Sequence, residues 1–274
     1  MNFARKKSVA SIHMLSKARL KKFSWLKKKK RRWLTKLFLV EGWRSCHEAL
    51  TSDFVVETLL FHSPADRENI STLIELAQKK GCEIFEISAT EAKALSDTIH
   101  AQGVFCVVRQ RQIAEESLLA SEPDFMVLVD AGQDPGNVGA LIRTCDWFGV
   151  QAVILSQGNV DLYNSKVLRA TMGSIFHLPI IENVKLDLFL SEIKKRGYHI
   201  FAADVAAKTP YLKIDFKKPV ALILGNENRG ISQPTLQLVD TTICIPAFGL
   251  AESLNVAAAG AVLISHLRLK LSLG

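Results

Sequence analysis

The sequence predicts an α/β protein built on a mostly parallel sheet. An apolar run, Phe125–Val129, is followed later by two more, Tyr198–Ala203 and Val220–Leu224; the latter two are continuous runs of the kind that marks strands buried on both faces of a parallel sheet. Helical patterns lie between them, as where Val138, Leu141, Ile142 and Cys145 fall at spacings of 0, 3, 4 and 7. A chain of 274 residues has room for one large domain or two ordinary ones.

In chain order, residues 1–11 read as disordered, and a basic helix is expected from Ile12 to Trp33 with a weak stripe of Leu15, Leu20, Phe23 and Leu26. Leu37–Val40 reads as a short strand ending at Glu41-Gly42, 43–50 as a helix and Phe54–Phe61 as a strand. The helix from Asn69 sets Ile70, Leu73, Ile74 and Ala77 on one face and stops at Gly81. Glu83–Ile87 is a strand, Ser88 to Glu91 has the form of a capping box opening a short helix through Leu95, and Val104–Val108 closes this unit. Gln110–Pro123 is polar and short on periodicity. The expected organisation is a basic arm over 1–36, a first domain over 37–110, a linker over 111–123 and a second domain over 124–274.

The second domain opens with Phe125–Val129, a turn-rich stretch, and a helix with Asn137 at the N-cap position. Arg143 lies opposite that helix's apolar stripe and, since helical side chains lean towards the N-terminus, reaches back over the loop mouth. A strand at Ala152–Leu155, a helix near 165–172, an apolar segment at Ile175–Ile181 and an amphipathic helix ending at Gly197 follow. After the two buried strands come a last strand, Thr241–Pro246, and a helix, Leu254–Leu269, apolar almost all round and expected to be buried.

Charge is distributed unevenly. Residues 1–40 hold 14 of the 35 Lys and Arg and none of the 27 Asp and Glu, so the rest of the chain is net acidic. The basic residues are densest at Lys27, Lys28, Lys29, Lys30, Arg31 and Arg32. Clustered cations of this kind serve a solvated arm, a targeting segment or a nucleic acid, and phosphates reward them most directly. Phe23, Trp25 and Trp33 interleave with the charges, placed either to stack on bases or to anchor the arm.

Other classes find little support. No apolar run approaches the length of a membrane span, and no compact apolar stretch behind the basic residues marks a secretory signal. Five scattered cysteines without C-x-x-C read as reduced core thiols, and seven histidines form no ligand spacing, so no metal site is expected. Triphosphate loops, dinucleotide fingerprints and hydrolase elbows are all absent. Instead, three polar, glycine-bearing loops follow strands: Asp130–Gly136, Gly225–Gly230 and Pro246–Asn255. Each puts glycine where backbone must come close to something.

The stretches DPGNVGALIRT (134–144), LILGNENRG (222–230) and IPAFGLAESLNVAAAG (245–260) resemble the three motifs of the SpoU class of SPOUT RNA 2′-O-ribose methyltransferases, and DLYNSKVLRATMGS (161–174) resembles the segment between the first two. The residues before 110 resemble that family's substrate-binding extension. The resemblance implies a deep C-terminal trefoil knot, a homodimer with each site completed near the interface, and S-adenosylmethionine as cofactor. It maps the polar site residues to Asn137, Arg143, Glu227, Ser253 and Asn255, and the backbone that holds the cofactor to Gly225, Ile245 and Leu254. Family forms with an N-terminal extension resemble ribosomal RNA enzymes, so rRNA is favoured over tRNA; an RNA-binding protein of this fold without catalysis is the alternative. A cytoplasmic location is expected, or a mitochondrial one if the basic N-terminus is a targeting segment.

Overall fold

A computed structural model describes residues 12–62, 67–99 and 101–273, and the chain divides after Arg111 into two compact units. The expected disorder of residues 1–11 lies outside the described residues.

The first unit runs β1 (Ile12–Met14), α1 (Lys17–Ser24), a 3-10 turn (Trp25–Lys27), α2 (Lys29–Thr35), β2 (Leu37–Glu41), α3 (Trp43–Thr51), β3 (Val56–Phe61), α4 (Arg67–Lys80), β4 (Glu83–Glu86), α5 (Ala89–Leu95) and β5 (Val104–Arg109). Its sheet has the order β1-β4-β3-β5-β2, with β1, β4 and β3 parallel and β5 antiparallel to both neighbours. The single basic helix expected over 12–33 is thus three pieces after a short strand. Ser16 starts α1 by accepting the Arg19 amide, and Lys28, in an extended conformation, separates α2 from the turn before it. The capping box at Ser88 and Glu91 is present in full.

The second unit runs α6 (Glu115–Ala120), β6 (Phe125–Val129), α7 (Pro135–Trp147), β7 (Ala152–Ser156), α8 (Ser165–Thr171), β8 (Ile180–Val184), α9 (Leu186–Lys195), β9 (His199–Ala203), β10 (Val220–Leu224), α10 (Gln233–Leu236), β11 (Thr241–Ile243) and α11 (Val256–Leu273). All six strands are parallel, in the order β11-β9-β10-β6-β7-β8. The α/β class and parallel sheet expected from the apolar runs are therefore found, and β6, β7 and β10 are buried at every position. One face, with Met126, Leu128, Ile154, Ile200 and Ile223, packs on Leu118, Leu119, Phe189, Leu190 and Ile193.

Several boundaries differ from expectation. The segment 111–123, read as a linker, carries α6, whose Leu118 and Leu119 lie in this core. The apolar stretch 175–181 is split between a 3-10 turn at Ser174–Phe176 and β8. The last helix is buried along one stripe, Leu263, Ile264, Leu267 and Leu271, while Leu269 is 61% exposed; hydrophobic residues all round a helix did not bury it all round. The five cysteines are free thiols and four of them are buried. Burial pushes the Cys82 thiol up to about 11, away from the reactive thiolate.

Candidate active site

Strands β6 and β10 are neighbours, paired with Val129 opposite Leu224. From β6 the chain proceeds to β7 on one side and later returns to β9 and β10 on the other. Reversals of this kind open the crevice at the carboxyl ends of parallel strands where ligands bind. The loops leaving β6 and β10 start together: the Asp130 amide donates to the Leu224 carbonyl at 2.8 Å, and the buried Asp130 carboxylate accepts the Ser232 amide at 2.9 Å.

Next to it, Ala131 has a left-handed backbone (φ 53°). Both of its polar backbone atoms are held: its amide donates to Ser156 Oγ (2.8 Å), and its carbonyl accepts from Asn226 Nδ2 (2.7 Å). Asn226 is buried, and its Oδ1 takes the amides of Asn228 (2.9 Å) and Arg229 (3.1 Å). Its backbone exchanges two hydrogen bonds with Gly230. Loop 226–230 is thereby folded onto itself, with Glu227 exposed at its tip. Gly225 is required by this return, because a Cβ there would stand 2.5 Å from the Gly230 carbonyl carbon and 2.6 Å from the Ile231 nitrogen.

Asn137 does not cap α7. Asp134 does, accepting the Asn137 amide at 2.8 Å with Pro135 in the first turn, where its missing N–H costs nothing. The Asn137 side chain is left to bridge loops. Its Nδ2 donates to Glu227 Oε1 at 3.0 Å, and its Oδ1 accepts from Asn255 Nδ2 at 2.8 Å. Asn255 caps α11, with its Oδ1 taking the Ala257 amide at 2.8 Å. The direction of every bond in this series follows from its ends. A backbone N–H can only donate and an ionised carboxylate can only accept, so both amide side chains have a single consistent orientation. Loops separated by 90 and 118 residues meet at one side chain.

The other expected site residues stand apart from this network. Ser253 is exposed, and Arg143 is exposed without a hydrogen bond or ion pair among the described residues. Arg143 nonetheless has a defined setting. Gly139, one turn before it, packs so closely on α8 that a Cβ would meet Ala170 Cβ at 2.4 Å, and Asp146, one turn after, pairs with His177 at 2.8 Å. Arg143 thus lies along the seam between α7 and the α8 segment. Residue-type reasoning passed over Arg169 on α8, whose Nη1 is buried without a hydrogen-bond partner among the described residues. Its only signal in the sequence is its place in the segment 161–174.

The third loop is open. No backbone amide or carbonyl from Ile245 to Leu254 takes a hydrogen bond among the described residues, and Phe248 and Leu250 are fully exposed. Ile245 is half-buried and Leu254 is 51% exposed.

In the first unit, the six cations expected to bind RNA divide in two. Arg32 is buried, its Nη1 donating to the carbonyls of Leu26 (2.6 Å) and Lys27 (2.8 Å). Lys27 donates to the Ser96 carbonyl at 2.6 Å and lies 3.6 Å from Asp97. Both hold the fold together. Lys28, Lys29, Lys30 and Arg31 are exposed.

Both units of the chain resemble known proteins. Residues 124–265 match the SpoU rRNA Methylase family, and residues 17–106 match the MRM3-like substrate binding domain. The chain is 34% identical over 257 residues to the 23S rRNA (guanosine(2553)-2′-O)-methyltransferase RlmP of Bacillus subtilis, covering 94% of this chain and 98% of that one. The AdoMet-bound rRNA methyltransferase from Sinorhizobium meliloti superposes with a TM-score of 0.85 at 27% identity, covering 96% and 99%. The AviRb methyltransferase from Streptomyces viridochromogenes, in complex with AdoMet, gives 0.83 at 25%, covering 94% and 100%.

Proposed function

The chain belongs to the SpoU rRNA methylase family, and we propose that it transfers a methyl group from S-adenosylmethionine to a ribose 2′-hydroxyl of ribosomal RNA. The observation that carries this reading is the meeting of the three loops at Asn137. A methyl donor and a hydroxyl react on alignment, so what the protein must supply is a fixed frame.

The residues present fit the cofactor. The unpaired backbone groups of Ile245–Leu254 offer donors and acceptors to a ligand with many polar edges, beside the exposed side chain of Leu254. Bound there, S-adenosylmethionine would supply the methyl group from its sulfonium, which would depart as a neutral thioether. Asn137 and Asn255 keep the first and third loops in register, and Gly225 shapes the second. Glu227 spends Oε1 on Asn137, and its Oε2 stays open to a hydroxyl or a guanidinium. Arg143 remains cationic, since a guanidinium is protonated at any ordinary pH. It holds the phosphate next to the target and stabilises negative charge developing on the 2′-oxygen, whose proton passes to solvent water. Ser253 fixes the ribose by hydrogen bonding.

The reading includes a homodimer with each site completed near the interface, for which the exposed Phe248, Leu250 and Leu269 provide apolar surface. It also includes a knotted C-terminal region. In support, α11 returns to α7 and β10 so closely that a Cβ on Gly260 would meet Leu141 Cδ1 at 2.5 Å and Leu224 Cδ1 at 3.0 Å. No helix among the described residues is long and apolar enough to cross a membrane, and a cytoplasmic location goes with ribosomal RNA as substrate.

Two measurements test the reading. The protein should bind S-adenosylmethionine in a calorimetric titration, and rRNA from cells lacking it should lose one 2′-O-methyl group by mass mapping, restored by the wild-type chain. Failure to bind the cofactor would sink the enzymatic reading; a loss confined to tRNA would sink the substrate.

A further inference from the structure

The aromatic residues among the N-terminal charges have different surroundings. Phe23 packs against the first unit's core with Leu20. Trp25 is covered by cations of its own unit, with the Arg31 guanidinium 4.3 Å and Lys21 Nζ 5.3 Å from its ring centroid. Trp33 is 65% exposed. On α2, Lys29 and Lys30 precede it by four and three positions and so share its side of the helix, while Lys36 is the left-handed residue that ends the helix. Lys36 Nζ lies 5.2 Å from the indole centroid. Lys29 and Lys30 are exposed and have no ion pair among the described residues.

The platform is held firmly from beneath. Arg32, the neighbour of Trp33, is buried and ties α2 to the carbonyls of the preceding turn, and Leu26 of that turn is in the core. An indole kept in water on a fixed helix, with one ammonium group beside it and two exposed lysines on its side of the helix, matches a ligand with a flat face and adjacent negative charges. An unpaired nucleotide has both; a base in a duplex has its faces covered by its neighbours.

We propose that Trp33 is a stacking platform for one unpaired base of the RNA substrate, with Lys29, Lys30 and Lys36 taking the flanking phosphates. This rests on the reading of the chain as an RNA methyltransferase and adds that the first unit grips a single-stranded or looped segment. Trp33 therefore contributes selectivity for strandedness as well as affinity.

The test compares the full-length wild-type protein with Trp33→Ala and Trp33→Phe. The RNA is a mixed-sequence single-stranded oligonucleotide, used alone and annealed to its complement. Trp33→Ala should weaken single-strand binding about tenfold while barely changing duplex binding. Trp33→Phe should keep most of the affinity yet lose much of the indole fluorescence quenching seen when RNA is added. Equal losses on both RNAs, or none, would overturn the proposal. So would unchanged RNA binding with an altered sedimentation coefficient, which would assign the indole to a protein contact. If the wild-type chain bound neither RNA, the fault would lie with the RNA reading itself.

Discussion

Asn137 has one donor group and one acceptor, and the two are committed to different loops. Replacing it separates what each bond does. Asn137→Ala removes both and should slow methyl transfer by about 10²-fold through misplacement of the reacting groups. The stability cost should be only about 1 kcal/mol, because these hydrogen bonds lie near solvent. Asn137→Asp still accepts from Asn255 but sets a second carboxylate against Glu227. Its activity should be at least as low as that of the alanine variant, measured as single-turnover rate alongside melting temperature. Arg143 calls for a different substitution, since its charge rather than its shape is the point. Arg143→Lys should retain measurable transfer with an unshifted pH–rate profile; a shifted profile or complete loss would favour a proton-accepting arginine. None of these pairings was legible in the sequence. Asp134 and Asn137 are both good capping residues three positions apart, and only the structure shows that Asp134 takes the cap and leaves Asn137 free. The likeness of three motifs identified the residues, but a sequence carries no distance between positions 90 or 118 apart.

At the scale of elements, strands buried on both faces were the most legible part of the chain, because nothing but a two-layer covering explains such apolar runs. The basic stretch was the least legible. Charge density marks a surface, but it does not show that Lys27 turns to the Ser96 carbonyl after α5 or that Arg32 satisfies carbonyls at the junction of two short helical pieces. The loop after β10 was legible as glycine-rich, but not that its glycine lies so close to the loop's own return. Gly225→Ala therefore has a definite expectation. The added methyl meets backbone, which cannot swing aside as a side chain can, so the loop must open. The variant should lose about 1–3 kcal/mol in denaturant unfolding. Transfer activity should fall further than stability alone accounts for, because Glu227 rides on the displaced loop.

At the scale of the whole molecule, basic charge is concentrated at the N-terminal end of an otherwise acidic chain. With Lys27 and Arg32 engaged internally, four residues of the run, Lys28 to Arg31, remain to meet phosphates. Changing those four to Gln should lower the slope of log affinity against log salt by up to about 3 for single-stranded RNA. Changing Lys27 and Arg32 as well should leave the slope nearly where it was and lower the melting temperature instead; a further drop in slope would return those two to the RNA surface. The hydrogen-bond series from the Ala257 amide through Asn255 and Asn137 to Glu227 also bears on how the protein is made. Its first donor belongs to α11, which leaves the ribosome after both earlier loops. A nascent chain that has reached Leu254 already holds both earlier loops, yet Asn137 still lacks one of its two partners. The frame for methyl transfer is thus completed only once the start of α11 has been made, and a chain that stops short of it has no working site to present to the RNA around it.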